Sequence, residues 1–318
     1  MNIITDRRSV LTGAFCGASL LAFPASAYSR SKGFFERIGR PIGIQLYTLG
    51  DEPQKDLESS LNRVAAIGYR DIEMPGFLGR DPADVRRVAD AAGVSISSVH
   101  IGLTGKLSIQ SDPRQIADAL GTVGAKQLVV PMFPLPTGLR LQPGESFAAA
   151  VARGVKAQGD GMWKSLAQLL NQRAALLRPH GIAVSYHNHS LEFTPIGART
   201  GWDILVAETD PRLVHFEADI GWLVSAGLDP VAFFKKKNHK GRVRQVHVKD
   251  VKRGFRPGPG LGTDPTEVGS GSVDWARVLP AAYAAGTRNF YIEQEPPFSM
   301  PRIDAATKSY AFLANLHA

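Results

Sequence analysis

Cysteine is nearly missing from this chain: Cys16 is the only one among 318 residues. It falls inside an N-terminal segment that reads as a removable signal, so the mature chain carries no thiol. Disulfide staples, cysteine nucleophiles and thiolate metal ligands are thereby excluded. Long apolar runs are missing as well. Past the N-terminal segment nothing approaches the ~18 residues that a membrane span requires. There is no phosphate-binding loop, because Gly258-Pro259-Gly260-Leu261-Gly262 is not followed directly by a helix; that stretch reads instead as a flexible loop over a site. Concentrated charge is absent too. The net charge is +8 and the pI about 9.6, yet outside Lys235-Lys236-Lys237 the basic residues are scattered. That balance describes a solvated basic surface rather than a nucleic-acid footprint.

The N-terminus has a pattern of its own. Thr5-Asp6-Arg7-Arg8-Ser9-Val10-Leu11 sets an arginine pair before an apolar stretch from Val10 to Phe23, and Ala25-Ser26-Ala27 offers a small-x-small cleavage site. Residues 1–27 are expected to be a twin-arginine-type signal that sends the chain to the periplasm or otherwise exports it. A Sec-type signal and an uncleaved anchor are the alternatives. Phe15 ahead of Cys16 argues against a lipoprotein site. After cleavage no stable membrane insertion is expected.

From residue 28 onward, apolar content of 44% and charged content of 21% over the chain are ordinary for a globular protein. Short apolar runs alternate with segments of 3.6-residue periodicity. Eight strands are expected at Ile42–Leu46, Asp71–Met74, Ser95–His100, Gln127–Val130, Ala183–His187, Val214–Ala218, Val243–Val248 and Asn289–Glu293. Helical patterns such as Leu57-Leu61-Val64-Ala65 and Trp163-Leu166-Leu169-Leu170 follow them. Gly68, Gly93, Gly124, Gly181, Gly241 and Gly286 sit near the helix-to-strand joins, where a left-handed stop is needed. Eight βα units imply a single-domain (β/α)8 TIM barrel over residues 28–318. Two long connections, Pro131–Gly161 and Val251–Ser272, fall on its catalytic face.

Four of the expected strands end on a ligand-type residue: His187, Asp219, His247 and Glu293. Side chains at the carboxyl ends of separate parallel strands converge at the mouth of a barrel. Mixed imidazole and carboxylate donors suit a divalent ion, with manganese favoured and zinc, cobalt or magnesium as alternatives. His189 shares a face with His187 through the strand period of two. His100 ends the third strand and is expected to hydrogen-bond a substrate. Trp222 is expected to stack on a substrate ring, with core packing as its rival. Glu217 and His215 alternate with Asp219 and should lie deeper, as supporting or packing groups.

Together these residues resemble a known family. Ile44-Gln45-Leu46-Tyr47, Gly68-Tyr69-Arg70-Asp71-Ile72-Glu73, Tyr186-His187-Asn188-His189 with Glu192-Phe193, Phe216-Glu217-Ala218-Asp219-Ile220-Gly221-Trp222, His247-Val248-Lys249-Asp250, Gly269-Ser270-Gly271 with Asp274-Trp275, and Glu293-Gln294 form an ordered series. It is similar to the xylose-isomerase-like TIM barrels, the broad sugar phosphate isomerase and epimerase group that includes inosose dehydratase and ketose 3-epimerases. The resemblance spans essentially the whole mature chain and is nearest to an exported branch. It implies a divalent metal on His187, Asp219, His247 and Glu293. It also places Arg253 where the epimerases have a substrate-binding arginine. Many members have glutamate where His187 stands, and in the epimerases that glutamate is one of two acid/base groups. A symmetric two-glutamate mechanism is therefore not expected here.

The expected activity is isomerisation, epimerisation or lyase/hydratase chemistry on a non-phosphorylated sugar or keto-sugar, through a metal-stabilised enediolate. Glu293, Lys249, Glu192 and His189 are the candidate catalytic groups. For Lys249 the expectation is a pKa lowered by burial. Glu73, a further candidate base, is placed with His100, Trp222 and Arg253 as substrate-binding. The expected partner is a small-molecule sugar and not nucleic acid, and homo-oligomers are left open. Two rival readings are a non-catalytic sugar-binding barrel and an endonuclease IV-like nuclease. The latter lacks its extra histidines, because His180, His239 and His317 fall in helices or at the terminus.

Overall fold

The structure is a computed structural model that describes residues 32–136, 138–258 and 261–318. The expected signal at residues 1–27, with Cys16, lies outside the described residues. Eight parallel strands close a barrel: β1 Gly43–Gln45, β2 Asp71–Met74, β3 Ser95–His100, β4 Gln127–Val130, β5 Ala183–His187, β6 Val214–Asp219, β7 Val243–Val248 and β8 Asn289–Ile292, with β8 paired to β1. The strands are buried on both faces, as a parallel sheet wrapped by helices must be. Among the described residues no helix is long and apolar enough to cross a membrane.

Local chemistry explains where the helices begin and end. Asp56, Asp81, Asp112 and Ser146 each accept a backbone N–H at the first turn of the helix that follows, supplying partners for otherwise orphaned donors. Apolar faces such as Leu57, Leu61 and Val64 of the helix Leu57–Ile67 then bury against the barrel. Gly286 ends the helix Trp275–Ala285 at φ +117, and the side-chain-free backbone allows the turn back into β8.

One expected connection is shorter than the sequence suggests. The stretch Pro131–Gly161 becomes helical at Phe147, and the helical span Phe147–Leu177 is divided in two at Gly159, whose φ of 59 and ψ of −146 are not helical. The Ser146 cap and the Ala148-Ala149-Ala150 run that follows start the first of the two segments.

The second long connection is tied down by one carboxylate. Buried Asp250 accepts hydrogen bonds from the backbone N–H groups of Gly269, Gly271 and Val273 and from the Trp275 indole. A Cβ on Gly271 would lie 2.1 Å from Asp250 Oδ1, so only glycine lets the loop come this close. The Lys-Asp and Gly-Ser-Gly fragments of the sequence are thus the two halves of one clamp. Asp250→Ala should lower stability by at least ~3 kcal/mol, since several buried donors lose their partner. Urea unfolding within ~0.5 kcal/mol of wild type would show that the clamp is dispensable.

Candidate metal centre

The barrel interior is polar where such interiors are usually filled by branched aliphatics. Gln45, Glu73, Ser98, Glu217, Gln245 and His247 are all at 0% exposure. Glu73 and Glu217 stand at the two register irregularities of the sheet, between Ile72 and Glu73 and between Phe216 and Glu217. The unpaired residue of each irregularity, Ser97 or Arg244, belongs to the neighbouring strand, and the shift sets Ser98 beside Glu73 and Gln245 beside Glu217. Both oxygens of Glu73 are engaged: Oε1 by Ser98 and Gln245, Oε2 by Gln45 and by His247 Nε2 at 2.6 Å.

Above this level lie the four strand-end residues. Donor atoms of Asp219, His247 and Glu293 fall within 4.8 Å of one another. His247 Nδ1 is 3.1 Å from Glu293 Oε2 and 3.7 Å from Asp219 Oδ2, and His187 Nε2 is 4.0 Å from the same Asp219 oxygen. Donors each ~2.0–2.2 Å from a shared ion stand about 3–4 Å apart, so the set fits a divalent cation. The supporting groups agree with that fit. His187 turns its other nitrogen to Glu217 (3.1 Å) and His247 turns its own to Glu73, so a carboxylate behind each ring leaves one nitrogen facing the centre. Asp219 is also the cap of the helix Ile220–Ser225: its Oδ1 accepts the Trp222 N–H at 2.9 Å, which aims Oδ2 inward. Burial, followed by the neighbouring His247 and His189, holds His187 well below its usual pKa and therefore neutral, as a ligand must be. Burial would also lower His247, but Glu217 and Glu293 outweigh it and hold that ring well above its usual value.

Lys249 overturns one expectation. Burial works to lower its pKa, yet Asp219, Glu293 and Glu295 overcome burial and hold it well above the usual value. Its ammonium is 2.8 Å from Asp219 Oδ2 and 2.7 Å from both Glu293 Oε2 and Glu295 Oε1. Its stem crosses Gly221, where a Cβ would come within 2.6 Å of it. It is a fixed cation rather than a base poised near neutrality. Glu295, part-buried at the rim, was not among the sequence candidates, although its spacing of two from Glu293 places it on the same side.

His189 and Glu192 form a second group beside the ligands. Glu192, on the turn Leu191–Phe193, is at 0% exposure; Tyr186 donates to one oxygen at 2.7 Å and the other has no partner. Burial raises its pKa to about 7, although the Tyr186 hydroxyl pulls the other way. His189 Nδ1 is 4.0 Å from Glu192 and likewise has no hydrogen-bond partner; burial and then Lys249 lower its pKa to about 4. Trp222 is buried, with its ring 5.2 Å from that of His189 and its indole N–H unpaired. Its free group is an N–H edge, not an open stacking face.

The remaining sequence candidates scatter. His100 joins the lower level, with Nε2 3.1 Å from Glu217 and 3.2 Å from Glu73, and these carboxylates raise its pKa to about 9 against the effect of burial. Glu73 lies below the centre with no oxygen free. Arg253 is exposed on the loop after Asp250–Val251, outside the cluster.

A closed parallel barrel with imidazoles and carboxylates gathered at its mouth defines a metal-type TIM-barrel site. The chain belongs to the Xylose isomerase-like TIM barrel family, which it matches over residues 61–316. It is 27% identical over 209 residues to an inosose dehydratase of Geobacillus kaustophilus, a match covering 64% of each protein. It is 26% identical over 283 residues to one of Clostridium botulinum, covering 82% of this chain and 90% of that protein. Among solved structures it resembles a sugar phosphate isomerase/epimerase from Parabacteroides distasonis (TM-score 0.67, 24% identity, 92% of this chain and 98% of that one). It also resembles a 3-keto-D-glucoside 4-epimerase from E. coli (TM-score 0.60, 16% identity, 86% and 98%).

The lysine yields a test that needs no substrate. Removing one partner of a buried charge cluster typically costs ~3–5 kcal/mol. Lys249→Met should therefore destabilise the metal-free protein by about that much, read by thermal or urea unfolding; wild-type stability would show that its ammonium balances nothing.

Proposed function

We propose that this chain is a divalent-metal-dependent enzyme that moves the proton alpha to the carbonyl of a non-phosphorylated sugar or keto-sugar. Isomerisation, epimerisation and elimination or hydration all share that step. The observation that carries this reading is the meeting of Asp219, His247 and Glu293 donor atoms at the barrel mouth, with His187 Nε2 4.0 Å from Asp219, beside a buried acid/base pair with free polar atoms. The inosose dehydratase relatives support it. Export through the twin-arginine-type signal is part of the same reading and favours a sugar without phosphate.

A divalent cation on these four residues, manganese first, would supply Lewis-acid polarisation of a carbonyl. The chain's own groups do the rest. Glu192 and His189 carry the proton: each has a buried polar atom without a partner, and neither is among the four proposed ligands. Lys249 stays charged and holds Asp219, Glu293 and Glu295 in place. Glu73 and Glu217 fix the rings of His247 and His187 from below. Trp222 keeps its indole N–H free for a hydroxyl of the sugar.

Two measurements test this. Incubation with free and 3-keto sugars in D2O should give deuterium at the carbon alpha to the carbonyl, followed by NMR; no exchange or turnover across the panel contradicts the reading. As base, Glu192 acts in its ionised form, so the rate should rise as pH passes about 7. Glu192→Gln should remove that limb and cost about 10²–10⁴-fold in turnover. An unchanged pH profile in the variant would take the proton from Glu192.

A further inference from the structure

We propose that Glu295 sets the charge selectivity of the mouth: its carboxylate stands where an acidic group of a ligand would otherwise pair with Lys249, so the site turns sugar acids away. This rests on the reading of the mouth as a sugar site and adds the residue that decides which sugars enter it. The observation is the arrangement around one buried ammonium. An ammonium carries three N–H donors. Lys249 meets three carboxylate oxygens at hydrogen-bond distance, Asp219 Oδ2, Glu293 Oε2 and Glu295 Oε1, so no donor is left for a ligand.

The three partners are not equivalent. The Asp219 side chain is fully buried, that of Glu293 is 6% exposed and that of Glu295 is 24% exposed. Other sides of the lysine are closed. Its stem runs against Gly221, where a Cβ would lie 2.6 Å from Lys249 Cγ, and its ammonium is 5.1 Å from the Trp222 ring centroid. Glu295 is therefore the partner that separates the ammonium from solvent.

The partners also differ in what their charge answers. Asp219 and Glu293 belong to the proposed ligand set, and their two charges match a divalent cation. Glu295 lies outside that set, and its charge answers that of Lys249. With the two histidine rings bound as neutral ligands, these groups and the cation together carry no net charge. A carboxylate or phosphate entering the mouth then gains no donor from Lys249 and meets the like charge of Glu295; an uncharged hydroxyl meets no such repulsion. Removing the Glu295 carboxylate reverses the balance, because Lys249 regains a free donor and its positive charge goes unanswered.

The test compares a neutral and an acidic probe that share one ring. Dissociation constants of glucose, glucuronate and acetate are measured by calorimetry at about pH 8 on the Mn2+-loaded protein. Glu295→Gln and Glu295→Ala stand beside wild type, with circular dichroism to confirm their folds. Wild type should bind glucose more tightly than glucuronate, and each variant should shift that ratio towards glucuronate by about tenfold or more. Glu295→Ala, which opens an acetate-sized gap beside Lys249, should also bind acetate about tenfold more tightly than wild type. Should it fail to fold, the ratio in Glu295→Gln, which keeps the size and removes the charge, decides. A wild type that binds glucuronate as tightly as glucose overturns the role of Glu295, as does an unmoved ratio in the folded variants or an unchanged acetate affinity in Glu295→Ala. Deuterium exchange on keto-sugars with an unmoved ratio removes the selector and leaves the enolisation. If neither sugar binds, the sugar reading falls, and the acetate measurement alone decides for or against Glu295.

Discussion

The rest of the structure depends on negative charge crowded into a dry barrel. Glu73, Glu217, Asp219, Glu293 and Glu295 gather in and above the interior, and the first three have no exposed surface. Carboxylates so placed ionise only when cations or N–H donors surround them. The chain supplies Lys249, charged through its contacts with three of them, and His247 and His100, drawn upward in pKa by the others. Glutamine and serine donors satisfy what remains at Glu73. A further cation at the mouth would complete this arrangement, and that is the physical basis for the proposed metal there.

The fold serves this demand through a few local devices. Two register shifts bring Ser98 opposite Glu73 and Gln245 opposite Glu217, and a helix cap fixes one oxygen of Asp219 so that the other faces the centre. Gly221 leaves room for the lysine stem, and Asp250 pins the long loop that follows β7. Each of these is a backbone or packing feature, yet each positions a charge. The chemistry at the mouth and the stability of the barrel are therefore hard to separate by mutation: a change that frees a carboxylate also unbalances the interior.

Much of this was legible in the sequence because strand periodicity and strand-end position carry it. All eight strands lie within a residue of the expected bounds, and Asp219, His247 and Glu293 bring donor atoms within 4.8 Å of one another. What was hidden depends on contacts between distant strands. The pKa of Lys249 was expected to fall because burial was visible in the pattern, whereas its three carboxylate partners come from β6 and from the segment after β8. Glu73 looked like a rim residue, but four partners hold it below the centre. Gln45 and Gln245 were not among the candidate site residues, although polar residues inside apolar runs could have announced a satisfied network. The early helix start at Phe147 was masked by the glycines of that segment.

In the proposed ligand set His187 is a neutral donor, held so by burial, and the proposal gives proton transfer to Glu192 and His189. The most direct test of the account is metal binding itself. After chelation and dialysis, the purified protein is titrated with Mn2+ by calorimetry alongside Asp219→Asn and His247→Ala, with circular dichroism confirming that both variants fold. The expected result is about one equivalent bound per chain by wild type and a large loss of affinity in each folded variant. Failure of the wild type to bind Mn2+, Zn2+, Co2+ or Mg2+, or full affinity in the variants, would contradict it.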